Sequence, residues 1–307
     1  GLVGATPTMV AVGQSGVITY STDASFSTWS SATSPFSGDA VYEIIFANNG
    51  FLAGGSSGKV STSSNGSAWA ATQTAASATI RALSYGNSIY LAMYWPGDYA
   101  TSTDASTWNV QGTKMQTKKI AAATYGASTF LIAGASGKLS TSTDAITWTA
   151  RTSGFSNTIN AAIYAGGKFV ICGDTDGIAT SSDAATWSYY TGALSGDSGN
   201  ALTYGNSVYV IAGGNGKLFT SATALTGSWT SRTSGFGTTA INGLAYANVG
   251  GTNTFVAVGN SGKISRSIDG SAATWALQTS PVATNLLAVA YGNGRFVAVG
   301  ASGTFLY

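Results

Sequence analysis

The sequence predicts an all-β fold: a single β-propeller of four-stranded blades. Three observations carry that prediction. Tryptophan recurs at Trp29, Trp69, Trp108, Trp148, Trp187, Trp229 and Trp275, spaced by 40, 39, 40, 39, 42 and 46 residues. Each unit between these tryptophans repeats one order of short apolar runs and turn signals, four runs to a unit. No stretch shows the 3.6-residue spacing of a helix. Units of about 40 residues with four strands each are the mark of a propeller.

The elements of a unit follow in order. The first strand is rich in small residues and closes on an aromatic, as in "INAAIY", "IAAATY" and "LLAVAY". Innermost strands converge on an axis and have the least room, which accounts for those small residues. A short turn with Asn-Gly character follows, as in "GNGR". The second strand is an apolar run such as "FVAVG" or "FLIAG", and a Gly-rich turn such as "ASGK" leads into the third, "LSTS" or "ISRS". The unit ends on a turn running from Asp to Trp, and the Trp fills the widening wedge between blades. The second-strand pattern occurs eight times and the Trp-bearing fourth strand seven times, because the chain stops at "GTFLY". Eight blades in one domain, residues 1–307, is the expectation, with seven as the alternative. Residues 1–5 are expected to supply the outer strand that the last blade lacks.

Composition excludes several functions. Charged residues make up 8% of the chain and aromatics 11%, so a core can form and disorder is not expected. No run of about 18 apolar residues occurs, so membrane insertion is not expected. A net charge of +2 without a basic cluster argues against nucleic acid. Histidine is absent, which removes His-based triads, imidazole metal sites and the usual proton shuttle. Cys172 is the one cysteine and lies in the apolar run "KFVICG", where a buried inert thiol is expected. No metal and no cofactor is expected. No leader is visible at the start, where "GLVGATPTMVAVG" is already a strand pattern.

The segments "STDASTW", "STDAITW", "SSDAATW" and "SIDGSAATW" resemble the Asp-box (BNR) repeats of sialidase-like propellers, and those of bacterial and phage tandem-repeat propeller proteins. The likeness runs the length of the chain and marks a fold rather than an activity. Asp23, Asp104, Asp144, Asp183 and Asp269 precede a Trp by four or six residues, where a carboxylate accepts backbone N–H bonds and holds a turn. Asn65 and Thr223 replace the acid in two units, which a turn tolerates and a catalytic acid does not.

The sialidase resemblance implies an arginine triad, a Tyr–Glu nucleophile pair, an Asp acid and an "FRIP"-type segment. That segment is missing, and Arg151 and Arg232 occupy equivalent repeat positions, as surface or interblade residues would. Glycosidases need two convergent carboxylates, and Glu43 is the one Glu. Glu43 stands where other units have Ala82, Ala122, Ala161, Ala201, Gly243 and Ala288. It is expected to be hydrated in a channel or paired with Arg81, a catalytic acid being the less favoured reading. "GDTDG", 173–177, reads as a plain turn rather than a calcium loop. Lys59, Lys138, Lys217 and Lys263 all follow the Gly-rich turn and read as a partial positive ring or as solvated edge guards. Lys114, Lys118 and Lys119 form a small basic patch.

One turn breaks the pattern. "LAMYWPGDYATS" puts Tyr94, Trp95, Asp98 and Tyr99 where the other second-to-third turns have Gly and Ser. An aromatic plate beside an acid suits a sugar ring or a protein hot spot, so these four are the candidate ligand-binding residues. The function expected is non-enzymatic: a structural or adhesion module of a phage virion (tail, fibre or decoration) or a cell surface. Its partner would be a glycan or protein receptor, or neighbouring virion proteins. The alternatives are a sialidase-like secreted enzyme and an assembly factor like the photosystem II assembly propellers.

Overall fold

The computed structural model describes residues 8–307 other than 24, 77, 96, 113–118, 176, 193 and 271–274. The fold is an all-β propeller of eight antiparallel blades. Blade 2 consists of Val41–Ala47, Gly50–Gly55, Lys59–Ser63 and Gln73–Thr74, hydrogen-bonded in that order. Blade 3 consists of Ile80–Gly86, Ile89–Tyr94, Asp98–Ser102 and Asn109–Gln111. Blades 4 to 7 repeat this plan over 120–152, 159–190, 199–232 and 241–278. Among the described residues blade 8 has three strands and ends on Phe305–Leu306, as the missing eighth Trp unit predicts. Blade 1 also has three, and its strands are the second, third and fourth of the repeat. The strand expected from residues 1–5 lies outside the described residues. The chain divides into two compact units, Gly1–Arg151 with blades 1 to 4 and Thr152–Tyr307 with blades 5 to 8.

Local chemistry fixes the strand order. The first hairpin turns on two residues of positive φ, Asn48–Asn49 in blade 2 and Asn206–Ser207 in blade 6, the geometry that matches strand twist. At the second turn two backbones nearly touch. A Cβ on Gly55 would lie 2.2 Å from the Ala40 carbonyl oxygen, and one on Gly134 1.9 Å from that of Lys119. The next amide uses the approach: Ser56 N–H donates to Ala40 (2.8 Å) and Ala135 N–H to Lys119 (2.9 Å).

Each first strand from blade 2 to blade 8 carries a bulge, the register shifting between Val41 and Glu43 in blade 2 and between Ile80 and Ala82 in blade 3. The bulge inserts one residue per blade, and in blades 2 and 3 that residue is the exposed Tyr42 and Arg81. The core lies between neighbouring blades. Leu52, Val60, Ile80, Leu83, Tyr90 and Tyr94 pack between blades 2 and 3 with Trp108 against them. Leu91, Met93, Tyr99, Ile120, Phe130 and Ile132 fill the next interface with Trp148.

Candidate functional site

In the Asp-to-Trp turns the carboxylate is hydrogen-bonded within its own turn. Asp144 Oδ1 accepts Ile146 N–H (2.8 Å), Thr147 N–H (2.7 Å) and the Ser142 hydroxyl (2.8 Å). Asp104 and Asp183 repeat the same backbone pair with Ser106, Thr107, Ala185 and Thr186. Asp23 takes Ser25 and Thr28 N–H at 2.7 Å each. These donors hold the Asp144 and Asp183 carboxyls down at about 2. Asn65 does the same work as the acid, accepting Ser67 and Ala68 N–H at 3.0 Å. Asp269 accepts the Ser267 hydroxyl at 3.4 Å, and the rest of its turn, 271–274, lies outside the described residues.

Five of the repeat tryptophans close the same turns. Nε1–H of Trp29, Trp69, Trp108, Trp187 and Trp275 donates to Phe26, Gly66, Ala105, Ala184 and Gly270 carbonyls. Trp229 departs from the rule: it donates to the Tyr190 hydroxyl (2.9 Å), which donates in turn to the Ala224 carbonyl.

The four candidate ligand-binding residues separate. Trp95 is 60% exposed, while Tyr94 and Tyr99 are 2% and 0% exposed. Asp98 pairs with Tyr94 across the ladder, so the loop is only Trp95, Pro96 and Gly97, and Tyr94 and Tyr99 belong to strands. Pro96 lies outside the described residues. Tyr94 packs towards blade 2. Tyr99 lies edge-on to Trp148 (5.5 Å, 71°) and its hydroxyl donates to the Ile146 carbonyl (3.4 Å). Burial pushes that hydroxyl up to about 12. The aromatic plate is therefore Trp95 alone, beside a partly buried Asp98.

Glu43 does not pair with Arg81. The Arg81 guanidinium lies over the Tyr42 ring, 4.2 Å from its centroid, and both side chains are exposed. The bulge is the reason, since it turns Arg81 outward while Glu43, paired with Gly54, stays partly buried. Burial raises the Glu43 carboxyl to about 7. Ile80 pairs with Tyr94, so Arg81 and Trp95 stand at the same end of the blade 3 sheet. Sequence reasoning missed Tyr42 because nothing in a period-two strand marks a bulge.

Two of the corresponding bulge residues in the second unit, Asn160 and Asn242, are committed to the frame, while Asn200 and Leu287 are exposed. Asn160 donates to Asp174 Oδ1 (2.8 Å) and the Gly199 carbonyl (3.2 Å), and Asn242 donates to Asn260 Oδ1 and the Leu286 carbonyl at 2.8 Å each. Asp174 of the "GDTDG" turn is thus held by Asn160, and Asp176 lies outside the described residues. Lys59 and Lys263 form no solvated ring: each reaches a loop carbonyl, of Phe36 (3.4 Å) and Phe236 (2.7 Å), and Lys59 pairs with Asp39 at 2.6 Å. Arg151 and Arg232 each fix Nε on a threonine of their own blade, Thr141 (2.9 Å) and Thr220 (2.7 Å). Cys172 is fully buried, and burial pushes its thiol up to about 12. Lys114 and Lys118 lie outside the described residues.

No protein-family model and no curated protein matches the sequence, so the Asp-box likeness stays at the level of motifs. Solved structures do match. "YCF48 from Cyanidioschyzon merolae" aligns at 17% identity and TM-score 0.66, covering 87% of this chain and 94% of that one. A structure described as "YCF48 bound to D1 peptide" aligns at 13% identity and TM-score 0.66, covering 85% and 89%. The C-terminal WD40 domain of Sif2 aligns at 11% identity and TM-score 0.76, covering 97% and 91%. At such identities these likenesses show the propeller fold.

Proposed function

We propose that this chain is a non-catalytic propeller that holds a segment of a protein partner at the end of blades 2 and 3. The observation that carries it is the exposed Arg81–Tyr42 stack at the same sheet end as exposed Trp95. Arginine and aromatic residues dominate interface hot spots because they bury large area at low entropic cost. A guanidinium already resting over a ring loses little freedom on meeting a carboxylate. The partner segment therefore carries an acidic residue beside an apolar one.

The fold likeness to a propeller solved with a bound peptide supports this reading. It favours the assembly-factor alternative over the virion or adhesion module, to which no comparison lends support. Against a glycosidase reading stands Glu43, the one Glu of the chain and only partly exposed.

The test is a peptide-display selection on the purified protein, repeated with Trp95→Ala and Arg81→Ala. Each variant should weaken the selected peptides by about 2 kcal/mol, roughly thirtyfold, with an unchanged melting curve. Selected peptides that bind both variants as well as the parent would overturn the proposal. So would a glycan-array signal removed by Trp95→Ala when no peptide is selected.

A further inference from the structure

We infer that the groove between blades 2 and 3, at the opposite end of the first strand from Tyr42, is a docking site for a lysine side chain of a protein partner. The groove is a cleft of about 460 Å³ whose lining includes Asn49, Gly50, Phe51, Thr62, Tyr90 and Asp104. Its size is that of a small-ligand site, and the chain itself shows what fits there.

At the equivalent groove between blades 5 and 6, Lys168 begins the second strand of blade 5 and reaches across to blade 6. Its Nζ donates to the Thr223 carbonyl at 2.9 Å. In blade 2 the residue at the Lys168 position is Gly50: Ala47 pairs with Gly50 as Ala165 pairs with Lys168. In blade 3 the residue at the Thr223 position is Asp104, two after Ser102 as Thr223 is two after Ser221.

The two replacements act together. Lys to Gly removes the internal ammonium and its stem and leaves the cleft. Thr to Asp puts a carboxylate beside the carbonyl that would receive an ammonium. That carboxylate is ionised throughout the physiological range, because backbone N–H groups of Thr107 and Ser106 hold it well below the usual value. Both contacts use Oδ1 (2.7 and 2.8 Å), as does the Ser102 hydroxyl (2.9 Å).

Other grooves lack the combination. Ile89 and Val208 occupy the Gly50 position in blades 3 and 6, and the cleft between blades 6 and 7 already holds Arg232 in its wall. A foreign lysine would lay its methylenes along the groove walls and set its ammonium on the Asp104 carboxylate, an ion pair where Lys168 meets an uncharged carbonyl acceptor. This inference is independent of the partner-binding end proposed above.

The test is amide NMR of the full chain titrated with the tripeptide acetyl-Gly-Lys-Gly-amide, against the same peptide with norleucine for lysine. The lysine peptide should shift amides of 48–50 and 104–108 saturably, and the norleucine peptide should bind at least tenfold more weakly. Gly50→Lys should abolish the shifts by filling the groove from within. A Cβ at Gly50 meets only the Ser63 carbonyl oxygen at 3.4 Å, so the strand accepts it. Asp104→Asn should weaken binding at least fivefold in a folded protein, because Asn65 already holds the same turn in blade 2. Equal binding of the norleucine peptide, shifts that persist in Gly50→Lys, or tighter binding of free 1,5-diaminopentane would each overturn the assignment.

Discussion

At the scale of single residues, one carboxylate chemistry gives opposite pH signatures. Asp144 and Asp183 are held at about 2, below the ordinary 3.8, by donors that exist only in the folded turn. Their contribution is present above the unfolded value and fades as pH falls through about 4 towards 2. Asp144→Ala should cost about 1 kcal/mol, as loss of a helix cap does, and Asp144→Asn less, by the precedent of Asn65. Glu43 behaves in reverse. Its folded value of about 7 lies above the ordinary 4.5, so the folded state binds the proton more tightly. Stability should fall as pH rises from 4.5 to about 7 and then level off, and Glu43→Gln should flatten that limb of a melting-temperature series. A wild-type series flat between pH 5 and 7 would contradict the burial of Glu43. The turn role of the aspartates was legible in the sequence because Asn65 and Thr223 exposed it. The fate of Glu43 was not, since it depends on a bulge that sends Arg81 to Tyr42.

At the scale of elements, the hairpins and blade order were legible because each turn needs particular residues: two of positive φ, then a glycine that two backbones leave no room to replace. The irregular turn of blade 3 was misread for the same reason. With Tyr94 at the position of Gly55 and Gly134, the segment looked like one long aromatic loop. Ladder pairing in fact continues to Tyr94–Asp98, and the strand alternation sends Tyr94 and Tyr99 into two different interblade cores. Interblade tyrosines were invisible in the repeat because each solves a local problem in its own way. The Tyr190 hydroxyl accepts a hydrogen bond from Trp229 Nε1–H and donates one to the Ala224 carbonyl. Tyr190→Phe leaves both groups without a partner in a buried place and should cost about 1–3 kcal/mol. Equilibrium urea unfolding would show this as a lower midpoint at unchanged slope. Trp148→Ala, which empties part of the wedge beside Tyr99, should cost about 3–5 kcal/mol. If both variants unfold like the parent, these interfaces do not hold the blades.

At the scale of the whole molecule, a chain with 8% charged residues has few means of marking a binding surface, so an exposed large aromatic is informative in a way that scattered exposed aliphatics are not. Seven of the eight tryptophans stand at the repeat position and are buried or partly buried, and Trp95 is the exception at 60% exposed. That asymmetry makes the candidate surface readable in solution without knowing the partner. Steady-state fluorescence should contain a red-shifted component quenched by acrylamide and a larger component that is not. Trp95→Phe should remove the accessible component and leave the melting curve in place, because the Trp95 side chain is mostly exposed. The selected peptide, added to the parent protein, should protect that component from quenching and shift it to the blue as the indole leaves water. An accessible component that survives Trp95→Phe would move the exposed ring to another blade. A component that vanishes with the substitution yet ignores the peptide would leave Trp95 exposed but not at the interface, and Arg81 on Tyr42 would then have to hold the partner alone.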